Sequence, residues 1–301
     1  MAETGRVIEE QLRKLTVDGT EVLVLRDESS VAREAARRTV DGLRAAIEMR
    51  GLAHLSLTGG SSAIPLYREL ATAEWRRAIP WTEVHMWWGD DRFVPRDHPE
   101  SNAGLAYRLL FAVAAHAGES GSVGADGVDV LAGDAPGLPI DADKVHPIQA
   151  EEAIAREAGG ERAAQRYAEE LGRWLPYAPD GAPEFDVFLA GVGPDGHTLS
   201  VFPGSPALAP DAPIVMAVPA PTHVEPHLGR VTLSARVLPA AGLVLVMASG
   251  AAKSEVIAQV LGDERDIERW PAQAALLANA VWLLDAEAAA GLPLGYGTNS
   301  R

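Results

Sequence analysis

The 301-residue chain has no cysteine, which excludes disulfides, thiolate metal sites, iron–sulfur clusters and cysteine nucleophiles. Positive charge is scarce: 26 basic residues stand against 42 acidic ones, for a formal net charge of −16. A polyphosphate partner needs a basic surface, so nucleic acid is not expected, and an anionic membrane surface is equally disfavoured. Long apolar runs are also missing. The longest, such as residues 243–248, fall far short of the ~20 residues that span a bilayer. Residues 1–15 mix acids and bases and hold no apolar segment of signal-peptide length. The expectation is a cytoplasmic protein, free of membrane. Apolar residues as a class are plentiful at 47%, enough for a substantial core in one large domain or two small ones.

Apolar stretches of strand length alternate with amphipathic stretches of helical length. Strands are predicted at 21–26, 54–57, 84–88, 185–190, 214–218, 242–248 and 281–285, and helices at 30–50, 63–78, 151–175 and 252–261. Nearly continuous apolar strands between helices imply an α/β fold: a mostly parallel sheet flanked by helices on both faces. Ligands of such sheets bind at the carboxyl ends of the strands. Residues 118–143, rich in Gly, Ala and Asp and without periodicity, read as a surface insertion in a single domain over 1–301. Residues 203–226 are dense in proline and read as an ordered, non-helical crossing near the site.

Each strand end carries candidate chemistry. Gly191-Val192-Gly193-Pro194-Asp195-Gly196-His197 follows a strand and matches the dinucleotide fingerprint G-x-G-x-x-G, with Asp211 standing 20 residues past Gly191. Pro203, Pro206, Pro210 and Pro213 leave no room for the crossover helix that fingerprint requires, so nicotinamide or flavin is not expected. The glycines permit a tight turn close to a ligand, with Asp195 and His197 on it. Imidazole, with an unperturbed pKa of roughly 6.5, suits a general base. The plainer reading of His197 is a structural histidine bonded to a loop carbonyl.

Gly59, Gly60 and Ser61 lie between a strand and a helix, where free N–H groups and the helix dipole form an anion site, or simply a capped turn. Gly59-Gly60-Ser61-Ser62-Ala63 also comes near the nucleophile elbow of serine hydrolases. Asp195 and His197 are only two residues apart, however, whereas that architecture draws its acid and histidine from separate loops. Asp90 and Arg92 end another strand, with Ser101 and Asn102 shortly after; Arg92 can grip a phosphate bidentately or pair with a neighbouring acid. Lys253 follows a strand, and Arg230 adds a further cation. His223 and His227 stand at i, i+4, but Pro226 interrupts any helix between them, so they read as solvated loop histidines and no metal is expected.

Five segments taken together resemble one family, the 6-phosphogluconolactonases: FDVFLAGVGPDGHTLSVFPGSPAL (185–208), LTGGSSAIPLY (57–67), WGDDRFVPRDHPESNAG (88–104), GRVTLSARVL (229–238) and MASGAAKSEVI (247–257). Along the chain they keep the family's order. The resemblance implies a fold shared with glucosamine-6-phosphate deaminases and ribose-5-phosphate isomerases. It implies hydrolysis of 6-phospho-D-glucono-1,5-lactone to 6-phospho-D-gluconate in the oxidative pentose phosphate pathway, with no cofactor. The partner would be this small sugar-phosphate lactone, and the protein a monomer or weak homo-oligomer. His197 is then the expected base and Asp195 its orienting acid. Gly59, Gly60, Ser61, Asp90, Arg92, Ser101, Asn102, Gly193, Arg230 and Lys253 become substrate-binding candidates. Two positions depart from the family pattern: Asp91, where Glu is usual, and Leu199, where Ala is usual. Two alternatives remain. An aminosugar-phosphate deaminase of the same fold would carry an Asn-Glu pair after the glycine loop, where this chain runs Thr198-Leu199-Ser200-Val201-Phe202. A non-catalytic sugar-phosphate-binding domain would have no use for a base at His197.

Overall fold

In the computed structural model, which describes residues 11–111 and 137–293, the apolar runs become strands of one seven-stranded sheet. Its strands are β1 (Gln11–Val17), β2 (Thr20–Leu25), β3 (Ala53–Leu57), β4 (Val84–Trp88), β6 (Val187–Gly191), β9 (Leu243–Ala248) and β10 (Ala280–Asp285). The spatial order is β1-β2-β10-β9-β6-β3-β4. Every pair is parallel except β1 with β2. β3, β4 and β10 are buried at every position, as strands covered on both faces must be. Flanking helices are α1 (Glu28–Arg50), α2 (Ala63–Leu70), α3 (Ala73–Arg76), α4 (Asn102–Leu109), α5 (Ala150–Ala155), α6 (Gly159–Trp174) and α7 (Ser254–Val260). Asp27 starts α1 by accepting the Ser30 N–H at 2.8 Å, and Gly51 ends it in the left-handed region.

The structure departs from the expected elements in four places. β1 was hidden in a charged segment; it joins β2 through Asp18-Gly19, both at positive φ, in a two-residue turn. The helix expected over 63–78 breaks into α2 and α3, and that expected over 151–175 breaks into α5 and α6, with Glu157 at φ 52 between the latter two. The strand expected at 214–218 exists but belongs to a second sheet. That sheet is antiparallel, in the order β5-β8-β7, built from β5 (Asp90–Arg92), β8 (Arg230–Leu233) and β7 (Val215–Val218). Of the surface insertion expected at 118–143, residues 118–136 lie outside the described residues. At its described end Leu138 is fully buried and its N–H bonds the Leu110 carbonyl at 2.7 Å, so that end is anchored.

The connectivity places the site. From β3 the chain moves outward to β4 at the sheet edge, while from β6 it moves the opposite way to β9. β3 and β6 are neighbours, so the strand order reverses between them. A crevice forms at such a reversal, outside the carboxyl ends of the two strands.

Candidate active site

A cleft of about 340 Å³ opens at that reversal. The turn after β3 supplies Gly59, Gly60 and Ser61 to its lining, and the turn after β6 supplies Gly193 and His197. Asp90, Arg92, Asn102, Arg230 and Lys253 complete most of the wall.

The histidine turn is built from backbone bonds. Gly193 N–H donates to the His197 carbonyl at 2.8 Å, and Gly196 N–H donates to the Gly193 carbonyl at 3.1 Å. The imidazole folds back over Gly193, where a Cβ would stand 2.0 Å from two ring atoms. Only glycine leaves space for the ring. His197 Nδ1 bonds Asp195 Oδ1, whose same oxygen accepts the His197 backbone N–H at 3.2 Å. Burial pushes the Asp195 carboxyl up, but the bonds from His197 and His223 outweigh it and hold the group well below the usual carboxylate range. An ionised carboxylate only accepts, so Nδ1 carries a proton, and in the neutral imidazole the lone pair then lies on Nε2. That is the tautomer a general base requires.

The opposite wall is cationic. Arg92 on β5 and Arg230 on β8 are directly paired across the small sheet. Arg92 Nη1 donates to the Glu100 carbonyl at 2.6 Å, and Arg230 Nη2 donates to the Pro226 carbonyl at 3.1 Å. The Nε of each is buried and has no hydrogen-bond partner among the described residues. Burial, and then the Arg92 charge, push the Arg230 guanidinium below its usual range. Two like charges placed opposite each other destabilise a sheet unless an anion answers them, and Glu100 Oε2, 3.2 Å from Arg92 Nη1, answers the Arg92 charge. Lys253 reaches the same cleft, with Nζ donating to the Val192 carbonyl at 2.8 Å; burial lowers its pKa and the Asp195 charge opposes that.

Below these cations lies a carboxylate floor. Asp90 Oδ2 accepts from Ser200 Oγ at 2.6 Å, and the Asp90 carbonyl accepts from Asn102 Nδ2 at 3.0 Å. Asn102 in turn fills the space against Gly59, where a Cβ would stand 1.8 Å from its Oδ1. Asp91, the departure from the family pattern, faces away from the cleft. Its carboxylate accepts the N–H groups of Arg92, Asn102 and Ala103 at 2.7, 2.7 and 3.0 Å, fastening β5 to the start of α4. Burial, partly offset by those N–H bonds, pushes it up to about 6. Ser101 is not in the cleft wall either: its hydroxyl donates to Asp91 and accepts the Gly104 N–H as the cap of α4. It therefore supports the site from beneath.

Sequence reasoning missed four contributors. Ser200 belongs to no motif in the sequence, yet its hydroxyl donates to Asp90. Val224 and Glu225 line the cleft from the proline-rich crossing. His223, read as solvated, places Nε2 2.8 Å from Asp195 Oδ2. Its neighbour His227 turns elsewhere, with Nδ1 at the Pro221 carbonyl and Nε2 at Glu225. A proline-rich loop carries no periodicity from which to foresee which histidine points inward.

A family model described as glucosamine-6-phosphate isomerases/6-phosphogluconolactonase matches residues 26–283. The chain belongs to this family. Among family relatives, a 6-phosphogluconolactonase of Mycobacterium tuberculosis is 34% identical over 268 residues, covering 89% of this chain and 96% of its own. One from Streptomyces coelicolor is 32% identical, covering 92% and 96% respectively. Among solved structures, the 6-phosphogluconolactonase of Trypanosoma brucei superimposes with a TM-score of 0.72 at 26% identity, covering 90% of this chain and 98% of that one. The family's α/β architecture is therefore that of this chain.

Proposed function

We infer that this chain hydrolyses 6-phospho-D-glucono-1,5-lactone to 6-phospho-D-gluconate, the lactonase step of the oxidative pentose phosphate pathway. One observation carries the reading: a histidine bonded through Nδ1 to a carboxylate, His197, shares a cleft with two opposed arginines whose buried Nε groups lack partners among the described residues. The relatives' activity supports it from a second direction. Water attacks the lactone carbonyl while His197 Nε2 removes its proton, and Nδ1–H stays on Asp195. Backbone N–H groups of the glycine turns and the nearby cations meet the developing oxyanion. Collapse breaks the bond to the ring oxygen, and the imidazolium returns its proton there, leaving a carboxylic acid and a free hydroxyl. The phosphate, remote from the reacting carbon, sits on Arg92 and Arg230 with Lys253 and the Gly59–Gly60–Ser61 turn, and its binding energy holds the lactone against the base.

The substrate is a small molecule, and the reading needs neither nucleic acid nor membrane. Among the described residues no helix is long and apolar enough to cross a membrane. We place the enzyme in the cytoplasm, where phosphorylated sugars are made and consumed, working as a monomer or weak homo-oligomer.

The test follows the loss of freshly generated 6-phosphogluconolactone with spontaneous hydrolysis subtracted. Wild-type protein is expected to accelerate it, and His197→Ala to lower kcat at least ~100-fold with the fold retained, since a general base contributes ~10²–10⁴. Near wild-type turnover in folded His197→Ala would remove the base from the mechanism. A covalent acyl-enzyme trapped at Ser61 would replace it with a serine hydrolase.

A further inference from the structure

The proline-rich crossing delivers a second histidine to the catalytic acid. His223 Nε2 lies 2.8 Å from Asp195 Oδ2, while Asp195 Oδ1 holds His197 Nδ1. One carboxylate is therefore bonded to a different imidazole through each oxygen. Phe202 contacts both rings, 4.7 Å from the His197 centroid and edge-on to His223 at 5.9 Å. Arg230 covers the same phenyl ring at 5.3 Å.

We propose that His223 is a positioning residue for the lactonase reaction: by bonding the outer oxygen of Asp195 it fixes the carboxylate that sets the tautomer and direction of His197.

The alternative is a surface ion pair of negligible consequence, the usual fate of an exposed pair. His223 is indeed half exposed, at 50% of its side chain, but Asp195 is only 16% exposed. The His197 backbone N–H also bonds Asp195 Oδ1, at 3.2 Å, so His223 is the group that holds the other oxygen. A carboxylate held through one oxygen can rotate about its side-chain bonds and carry its partner with it. Held through both, it presents Oδ1 to His197 in one orientation, so Nε2 meets the water in one direction. The same bond ties the crossing to the catalytic turn. Val224 and Glu225, next in sequence, are thereby kept at the rim of the cleft.

The inference rests on the lactonase reading, so its test has one arm that needs no turnover. The ¹⁵N shifts of the His197 ring, assigned by their loss in His197→Asn, report the tautomer directly. Wild type is expected to show Nδ1 protonated and Nε2 bare. His223→Ala is expected to show a mixed tautomer, and His223→Gln, whose amide can again donate to Asp195, to restore the wild-type pattern. In the lactonase assay His223→Ala is expected to lower kcat roughly tenfold with KM changed less than twofold. His223→Gln should recover most of that loss. In an Asp195→Asn background His223→Ala should add nothing, because its effect passes through that carboxylate. An unchanged tautomer in His223→Ala, equal losses in Ala and Gln, a change confined to KM, or additivity with Asp195→Asn would each overturn the proposal. A wild type that fails to hydrolyse the lactone would sink the lactonase reading alone, since the tautomer still answers for His223.

Discussion

Two atoms of the His197 ring lie where a Cβ on Gly193 would have to be. Gly193→Ala therefore cannot keep the imidazole in place. It is expected to cost at least about tenfold in kcat, read by lactonase assay, with the far-ultraviolet circular dichroism unchanged. Arg92 and Arg230 act on a different part of the substrate. A charge-assisted contact contributes ~1.5–3 kcal/mol, so two correspond to roughly 10²–10⁴ in kcat/KM. Unphosphorylated glucono-1,5-lactone is expected to be poorer than the phosphorylated lactone by about that factor. Arg230→Ala should narrow the gap, chiefly by harming the phosphorylated substrate, and equal kcat/KM for both lactones in wild type would show that the arginines serve something else. Arg92, His197 and Lys253 were legible in the sequence because each follows a predicted strand, and Arg230 only as a further cation. The pairing of the two arginines was not: Arg92 and Arg230 are 138 positions apart and meet only through β5 and β8, which at three and four residues are too short to read as strands.

The edge of the large sheet carries an element with its own titration. On β3 and β4, His54 and His85 stand side by side, His85 bonds His146 at 2.9 Å, and Trp87 donates to His54 Nδ1 at 3.2 Å. Burial, then the neighbouring His85 and Arg50 charges, push His54 down to about 3; burial and then His146 push His85 down to about 4. Both are neutral in the native state through the mildly acid range, while the same side chains in the unfolded chain take up protons below about 6.5. The unfolded state then binds more protons, so these groups make stability fall as the pH drops from about 6.5 toward 4 and contribute no slope above that. His54→Asn keeps an acceptor for Trp87 but does not titrate. Between pH 7 and pH 4.5, wild type is expected to lose about 2–3 kcal/mol more than His54→Asn, measured by urea unfolding at both values. Equal losses would mean that His54 is solvated. The strands holding these histidines were readable from apolar runs such as Val84–Trp88, since burial on both faces demands such runs. β1 was not, because only Leu15 and Val17 of its seven residues are buried apolar positions. Of the breaks in the long helices, the one before α6 is marked by Gly159-Gly160, while that between α2 and α3 is silent, as amphipathic periodicity continues across a one-turn interruption.

Across the whole molecule, carboxylates outnumber cations, yet no group of three or more histidines and acids among the described residues is arranged to hold a metal ion. His223 and His227, the pair most suggestive in sequence, are committed to Asp195 and to Glu225 with Pro221. Prolonged incubation with a chelator is therefore expected to leave lactonase activity unchanged; loss restored by one divalent ion would overturn this. The alternation of strand and helix was enough to give the sheet and to direct attention to its carboxyl ends. The reversal between β3 and β6 has a further consequence. Ser200 meets Asp90 across 110 positions, and Lys253 meets Val192 across 61, so no contiguous stretch of chain contains the site. Contacts this distant in sequence form late, after the loop-closure entropy between them has been overcome. Catalysis thus requires the assembled sheet, and its recovery during refolding reports that these distant segments have met.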